Sequence, residues 1–531
     1  MRCVLTGREM AEVDRYTIEV LGIPGIVLME NAGRETALII DRKLREMGMD
    51  REGAPVTVVC GKGNNGGDGF VVARYLTFYG YDVVVHLLGS KEEVKGDAKT
   101  ALAAYENTCA DVIEHEEIID RALEADLTES VVVVDAIFGT GLSKEVTGIH
   151  LEAIQLINDY SPFTVSVDIP SGVDSNTGKI MGDCVEADLT VTFNFWKVGH
   201  VVTPGCTYCG EIILADVGFP PDSFNVAKPG VWLVEDLDLF YWLEEREPDF
   251  HKGDAGRVFV VGGSKGMTGA VVMACEGALA AGSGLIYAVV PSSLNDIFEV
   301  KMTEQLTIPV DDGGKGHFLK ESAEEVIEYL KRAHAVAVGP GLSWRNDTAE
   351  LVYELVRRVT VPMVIDADGI NVISENPDVL LEKKADIILT PHEMEMARLL
   401  RKDVEDISGN RVEAAREAAR RWGVIVLLKG YRTIIASPKG RVFVNPTGNP
   451  YMATGGMGDV LTGIILSYLG QGLDPIGAAC AGAYMHGLAG DIVVRRYPRT
   501  PVAPRHIVAY YPDAIRYILG GHPGEERSGE E

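Results

Sequence analysis

"PVTVVCGKGNNGGDGFVVARYL", residues 55–76, sets a glycine-rich block between two apolar ones. Pro55 to Cys60 form an apolar, largely β-branched run, a glycine-rich turn follows from Gly61, and "FVVARYL" resumes with helix-forming residues. A strand, a tight turn and a helix start in that order are the opening unit of a parallel α/β sheet. Gly61, Gly63 and Gly66 also satisfy G-x-G-x-x-G, a weak dinucleotide fingerprint when it stands alone. Asp68 argues against a bound pyrophosphate, because a carboxylate at that helix start would repel it. The acidic ribose ligand expected about 20 residues further on is missing, since "YDVVVHLL" ends in Gly89 and Ser90. Asn64, Asn65 and Asp68 instead offer oxygen ligands and paired donors, which suit a hard cation and hydroxyl groups better than phosphate.

Outward from this turn the same grammar repeats. Thr6 and Glu9 have capping-box spacing and open a helix with Met10, Val13, Tyr16 and Val20 on one face, stopped by Gly22, Pro24 and Gly25. The runs "VTVVC", "YDVVVHLL", "SVVVVDAIFG" and "FTVSVDIPSG" alternate with helical stretches, and the pattern restarts near residue 250 with "RVFVVGG", "LIYAVV", "HAVAVGPG", "PMVIDADG", "ADIILTPHE" and "VIVLLKG". Runs buried on both faces and spaced by helices argue for parallel sheets. The reading is therefore two domains, residues 1–222 and 248–520, joined by a proline-rich and charged linker at 223–247 and followed by a flexible acidic tail at 521–531.

Composition excludes several classes. The chain has 531 residues, 46% of them hydrophobic and 24% charged, which is ordinary for globular domains. Its formal net charge of −29 and lack of a basic stripe speak against nucleic acid. No apolar run approaches the roughly 20 residues of a membrane helix, and the N-terminus turns acidic before a signal-peptide core could form, so a cytoplasmic location is expected. The eight cysteines are scattered, many in apolar runs, as reduced thiols would be; Cys206 and Cys209 alone share a C-x-x-C spacing, read as structural for want of a second pair.

The first candidate site gathers at the carboxyl ends of the first set of strands, where open α/β sheets bind ligands. Asp135 ends "VVVVD", Asp168 ends "TVSVD" and Ser171 follows Pro170. Each strand-end aspartate alone would serve as a turn cap, but several converging on one turn could surround a cation. Together "GIPGIVLMENAG", "GKGNNGGDGFVVARYL", "VDAIFGTGL", "VDIPSGVD" and "TFNFWKVGH" resemble the NAD(P)H-hydrate epimerase family over roughly residues 5–220. The resemblance implies a Rossmann-like domain that inverts the hydroxyl-bearing carbon of hydrated NAD(P)H and binds potassium. Asn65, Asp135 and Ser171 would hold the ion; Asn64, Asn65, Gly66, Gly67, Asp68, Gly139, Thr140, Gly141, Leu142, Ser143, Lys144, Glu145 and Asp168 would contact the hydrate. Inversion needs a proton acceptor and a proton donor, and Asp168 and Lys197 are the candidates, with a surface lysine the plain alternative for Lys197.

The second candidate site centres on "ATGGMGDVLTGIILSYLG", a glycine turn leading into a helix with Val460, Leu461, Ile464, Ile465 and Leu469 on a buried face. Free N–H groups at such a start stabilise a phosphoryl group in transfer, and Asp459 beside them could take the proton of an attacking hydroxyl. Thr390 and Glu393 read as a capping box with Pro391 at the first helical position, leaving His392 at the helix start; "LLKGYRTII" reads as a hairpin carrying Lys429 and Thr433. "HKGDAGRVFVVGGSKGMTGA", "VGPGL", "DADGIN", "LTPHEME", "LKGYRT", "GGMGD" and "HGLAGD" together resemble the ADP-dependent NAD(P)H-hydrate dehydratase family, of ribokinase-like fold, over about residues 248–520. That implies phosphorylation of the hydrate's hydroxyl from ADP, with magnesium, and loss of phosphate to regenerate NADH or NADPH. Ala270, Gly341, His392 and Asp459 would contact the hydrate; Lys429, Gly430, Tyr431, Arg432, Thr433 and Gly458 would contact the adenine nucleotide, with Asp459 as the base. Gly369 stands where the family pattern has alanine, and Tyr451 where it has a small residue. A homo-oligomer is expected. The rival reading is a vitamin or sugar kinase of ribokinase type behind a noncatalytic nucleotide-binding or oligomerisation module.

Overall fold

The computed structural model describes residues 1–119, 121–243 and 246–520. The acidic tail at 521–531 lies outside the described residues. The chain divides into two compact units, Cys3–Val231 and Trp232 onwards together with Met1 and Arg2.

In the first unit the strands are β1 (Pro55–Cys60), β2 (Asp82–Leu88), β3 (Ile113–His115), β4 (Val132–Ala136), β5 (Thr164–Val167), β6 (Leu189–Phe193) and β7 (Glu211–Ala215). They form one sheet in the order β3-β2-β1-β4-β5-β6-β7, parallel throughout. The order is that of a dinucleotide-binding fold with one more strand, and its direction reverses between β1 and β4. Alternation along the strands separates two cores. Val56, Val58 and Cys60 pack with helices α1 (Gly7–Glu19), α2 (Gly25–Glu46), α3 (Asn64–Tyr79) and α4 (Gly96–Thr108), whereas Val59 and Val133 pack with α5 (Arg121–Glu129) and α6 (Ile149–Tyr160). The unit is thus a three-layer α/β/α domain.

The expected capping box is present, with Thr6 accepting from Glu9 N and Glu9 reaching back to Thr6 N. The buried face of α1 is narrower than the sequence suggests. Met10, Val13 and Thr17 are buried, while Val20 lies past the helix end and is exposed.

The second unit repeats the architecture. Its strands β8 (Arg257–Val261), β9 (Leu285–Pro291), β10 (Leu306–Val310), β11 (Ala335–Val338), β12 (Met363–Ile365), β13 (Ile387–Leu389), β14 (Ile425–Leu428), β15 (Ile434–Ala436) and β16 (Val442–Val444) run in the order β10-β9-β8-β11-β12-β13-β14-β15-β16. They are parallel up to β14; β15 pairs antiparallel with β14, and β16 antiparallel with β15. One face carries α7 (Thr268–Ala280), α12 (Met457–Gly470), α13 (Pro475–Arg496) and α14 (Pro504–Ile518) over Val258, Val260, Ala335 and Ala337. Against the other lie α8 (Asn346–Arg358), α9 (Asp368–Glu375), α10 (Glu393–Leu400) and α11 (Arg411–Trp422), which bury Leu351, Ile373, Met396 and Trp422. The expected fold class, two three-layer α/β domains, is what forms. The stretch 223–247, read from sequence as linker, carries a strand (Val231–Leu233) and a helix (Asp236–Trp242), and its Leu239 is buried in the core of the second unit.

Candidate active sites

In the first unit the reversal of strand order opens a crevice between the carboxyl ends of β1 and β4. The backbones touch there: Gly61 N donates to Ala136 O, and a Cβ on Gly61 would lie 2.1 Å from Ile137 O. Gly66 is equally obligatory, since its Cβ would meet Gly61 O at 1.8 Å. These two glycines close the turn and leave Asn64, Asn65 and Asp68 at the N-terminal end of α3, all lining a cavity of about 780 Å³. Gly139, Thr140, Gly141, Leu142, Ser143, Lys144, Glu145, Asp168 and Lys197 line the same cavity. Gly66 and Gly67 do not; a Cβ on Gly67 would lie 2.6 Å from Met29 Cε, so both serve the packing of α3.

Lys197 is not a surface residue. Its side chain is 1% exposed, and Nζ donates to Asp168 Oδ1 at 2.5 Å and to Thr192 Oγ1 at 2.7 Å. Asp168 takes a left-handed backbone conformation, φ +68°, at the end of β5, a strained position held by His200, whose Nε2 lies 2.9 Å from Asp168 O. Burial works to raise the Asp168 carboxyl, but the Lys197 ammonium overrides it and holds the group below the usual carboxylate range. Its neighbours go the other way. Burial and the Asp168 charge push Asp14, on α1, up to about 6, and burial pushes Asp68 well above its ordinary value. Asp14 lines the cavity with Met10 and Ile18 at helical spacing, and the sequence reading missed it.

Beside this cavity Asp135 is fully buried. Its carboxylate accepts from Ser171 Oγ (2.5 Å), Ser166 Oγ (2.8 Å), Ser171 N (2.9 Å) and Ile137 N (3.2 Å), and it makes no ion pair among the described residues. Phe138 O lies 3.2 Å from Ser171 Oγ. Asn65 is buried with its Nδ2 unpartnered, and its Oδ1 would lie 3.0 Å from a Cβ on Gly139. A buried carboxylate held by two hydroxyls and two backbone N–H groups, with no cationic side chain on it among the described residues and with Phe138 O and Asn65 Oδ1 as further oxygens, suits a hard cation of low charge.

In the second unit the strand order reverses between β8 and β11, where Gly263 N donates to Pro340 O. Gly341, φ +59°, is pinned by Ser264 Oγ to its carbonyl (2.8 Å), and a Cβ there would lie 3.2 Å from Ala270 Cβ on the first turn of α7. Ala270 and Gly341 are therefore neighbours. Helix α12 crosses α7 at backbone contact: a Cβ on Gly463 would be 1.8 Å from Ala274 O, and one on Gly277 2.3 Å from Val460 O. Only glycine permits that approach, and it fixes the start of α12, where Gly456 (φ +93°) caps the helix ahead of Gly458 and Asp459.

Below that helix start lies a group the sequence reading did not name. Asp366, just past β12, is buried and accepts from Lys429 Nζ (2.7 Å), Thr390 Oγ1 (2.7 Å) and Thr462 Oγ1 (2.8 Å). Strand-end aspartates had singled out Asp135 and Asp168; the same signal ends "PMVID". Thr390 is thus engaged with Asp366 and does not cap α10. The helix begins two residues later than expected, with His392 as its cap: Nδ1 accepts from Met394 N and Glu395 N, and Glu395 Oε2 accepts from His392 N. Burial, then the Lys429 charge, lowers the His392 pKa. Burial raises Glu395 to about 7 and Asp459 to about 7, in each case with Asp366 adding and Lys429 opposing.

The hairpin β14–β15 forms as read, and its turn is held by the Arg411 guanidinium, which donates to Tyr431 O (2.7 Å) and Lys429 O (3.2 Å). Thr433 Oγ1 closes the turn onto Gly430 O, and Tyr431 is exposed. Gly369 tolerates little, since its Cβ would lie 2.8 Å from Ile365 Cγ2, and Tyr451 is exposed. Among the described residues no group of three or more His, Cys, Asp or Glu could cage a metal, and no helix is long and apolar enough to cross a membrane.

Two three-layer α/β domains, one with a hydroxyl- and cation-suited cavity and one with a glycine helix start over a buried Lys–Asp pair, define a two-site enzyme of nucleotide chemistry. The chain belongs to the family of bifunctional NAD(P)H-hydrate repair enzymes. Residues 258–513 match the family model described as NAD(P)H-hydrate dehydratase, and residues 25–199 the one described as YjeF-related protein N-terminus. It is 41% identical over 521 residues to the bifunctional NAD(P)H-hydrate repair enzyme of Moorella thermoacetica, covering 97% of each chain. The counterpart from Thermofilum pendens is 36% identical over 516 residues, covering 96% of this chain and 95% of that one. Among solved structures, ADP/ATP-dependent NAD(P)H-hydrate dehydratase from Bacillus subtilis, co-crystallised with ATP/Mg2+, is 25% identical and covers 54% of this chain and 99% of its own, with a TM-score of 0.47.

Proposed function

We propose that the chain restores hydrated NADH and NADPH in two steps. The N-terminal site interconverts the R and S hydrates, and the C-terminal site dehydrates the S form in an ADP-dependent reaction through a phosphorylated intermediate. The observation that carries the second step is Asp459, held near neutrality on the first turn of α12 beside the Lys429–Asp366 pair. Asp459 takes the proton of the hydrate's hydroxyl as its oxygen attacks the terminal phosphorus. The N–H groups of Gly455, Gly456 and Gly458 and the Lys429 ammonium offset the charge that develops on the phosphoryl oxygens. Phosphate then leaves with the C–O bonding pair and the neighbouring carbon gives up a proton, restoring the double bond. Hydroxide would be a far poorer leaving group, and this is the reason a kinase-like site suits a dehydration.

Ala270, Gly341 and His392 would hold the hydrate, and Lys429 to Thr433 with Gly458 the adenine nucleotide. Magnesium would arrive on the nucleotide phosphates, as that ion usually does. In the first site Asp168, kept ionised by Lys197, is the proton acceptor, and the amides and hydroxyl-binding groups of residues 64–68 and 139–145 orient the hydrate. Asn65, Asp135 and Ser171, with Phe138 O, would hold potassium, which would fix the β4 and β5 loops against α3. Incubating separated R and S hydrates with and without ADP, and following epimer composition and NAD(P)H fluorescence, tests the assignment. Stable phosphorylated hydrate without NAD(P)H would favour the kinase reading instead.

A further inference from the structure

We propose that Asp14 is a further catalytic residue of the N-terminal site, passing a proton to and from the hydrate opposite in role to the Asp168–Lys197 pair. The inference rests on the epimerase reading of that site. It starts from placement. Val4 and Leu5 pair in parallel with Trp196 and Lys197, so the chain enters α1 directly beside the catalytic lysine. At the helix start Gly7 is wedged in place: a Cβ there would lie 2.4 Å from Ser175 Oγ and 3.0 Å from Thr140 O, and Ser175 Oγ itself donates to Thr140 O. Two turns on, Met10, Asp14 and Ile18 all line the cavity. Unlike Asp168, which is locked to Lys197 and Thr192, the Asp14 carboxyl makes no hydrogen bond or ion pair among the described residues.

The charge balance favours a proton on Asp14. Asp68 from α3, Asp97 at the start of α4 and Asp168 share the cavity wall with it, Lys197 is already engaged with Asp168 and Lys62 with Glu93, and Lys144, Glu145 and His150 also line the cavity. Burial and the Asp168 charge accordingly bring Asp14 to about 6 while Lys197 keeps Asp168 low. Two carboxyls whose environments drive their pKa values apart divide naturally into acid and base.

Chemistry gives both a task. Water added across an enamine double bond leaves its hydroxyl on the carbon next to the ring nitrogen, a hemiaminal. Asp168 removes the hydroxyl proton; the C–N bond breaks, its electron pair passing to nitrogen, which accepts the Asp14 proton as the C=O forms. After rotation about the adjacent C–C bond, nitrogen attacks the other face of the carbonyl, returns its proton to Asp14, and the oxygen regains one from Asp168. No oxidant, reductant or other reactant is consumed.

The test uses the full chain, Asp14→Asn and Asp14→Glu, following R-to-S exchange by chromatography without ADP across pH 5 to 8. The expected result for Asp14→Asn is a fall in kcat of at least about 100-fold with KM within about threefold, and loss of the pH limb near 6. Asp14→Glu should recover part of the rate, and dehydration of pure S hydrate with ADP should be unchanged in both. Exchange by Asp14→Asn at wild-type rate with the limb retained overturns the proposal, as does loss of hydrate binding in both variants. Absence of exchange by the wild-type protein would overturn the epimerase reading itself, a different outcome.

Discussion

Lys429 Nζ stands 2.7 Å from Asp366 Oδ1, and a side chain on Gly458 would come within 3.3 Å of the same nitrogen. The helix start, the lysine and the buried carboxylate are therefore one assembly. Replacing Asp366 by Asn leaves a largely buried ammonium with only the more distant carboxylates to face it, Glu395 at 4.0 Å and Asp459. Breaking such a pair typically costs about 3 kcal/mol or more, so chemical denaturation of Asp366→Asn should show a loss of that order. Dehydration should fall with it, by about 100-fold, because Lys429 is no longer aimed at the phosphoryl site.

Asp459→Asn should keep nucleotide binding and lose NAD(P)H recovery by at least about 100-fold, read by calorimetry and fluorescence. In the wild-type protein only the ionised Asp459 accepts a proton, so recovery should rise as pH passes through about 7. Stability moves oppositely. The folded pKa is raised above the unfolded value of about 3.9, so the contribution is present at low pH and lost as pH rises through about 7. Asp459→Asn should melt above wild type at pH 8, with the difference shrinking towards pH 5.

Asp168→Asn should abolish epimer exchange while S-hydrate dehydration with ADP persists. Because Lys197 holds Asp168 low, titration of Asp168 itself should leave no mark on the exchange rate between pH 5 and 8. Lys197→Met and Asp168→Asn should both destabilise the first unit, by about 3 kcal/mol or more, since one strands a buried carboxylate and the other a buried ammonium. Thermal melts of both variants check this.

Exchanging potassium for a bulky organic cation should lower the melting temperature of the first unit and slow epimerisation. A ligand at about 100 times its Kd adds about 2.7 kcal/mol. The dependence should vanish in Asp135→Ala; a wild-type melt indifferent to potassium, or a dependence retained in Asp135→Ala, would remove the ion from this site.

Gly66→Ala should fail to give a folded first unit, because its Cβ would sit 1.8 Å from Gly61 O, backbone that cannot yield. Circular dichroism and recovery of soluble protein suffice to check it. The same change at Gly63, where a Cβ would meet nothing within 4 Å, should be tolerated structurally.

Much of this was legible in the chain itself. Strand–glycine–helix punctuation and doubly buried apolar runs specify parallel three-layer domains, because a strand covered on both faces has no solvent side to mark. The turn at residues 61–69 and the start of α12 announce their sites through glycines, of which Gly61, Gly66 and Gly456 leave no room for a side chain. Local chemistry also settled the Thr6–Glu9 cap, whose partners are three residues apart.

Tertiary structure decided whatever depends on partners distant in sequence. Lys197 reads as either a proton-transfer group or a surface lysine until the fold buries it against Asp168, and Thr390 reads as a cap until Asp366 claims its hydroxyl. Asp14 is silent in the sequence for the same reason, an isolated carboxylate on a helix having no chemistry of its own, whereas Asp366 carries the strand-end signal but shows its partners Lys429, Thr390 and Thr462 only in the fold. The physical cause is that pKa, charge pairing and cavity walls are set by desolvation and by through-space neighbours, which sequence order does not encode.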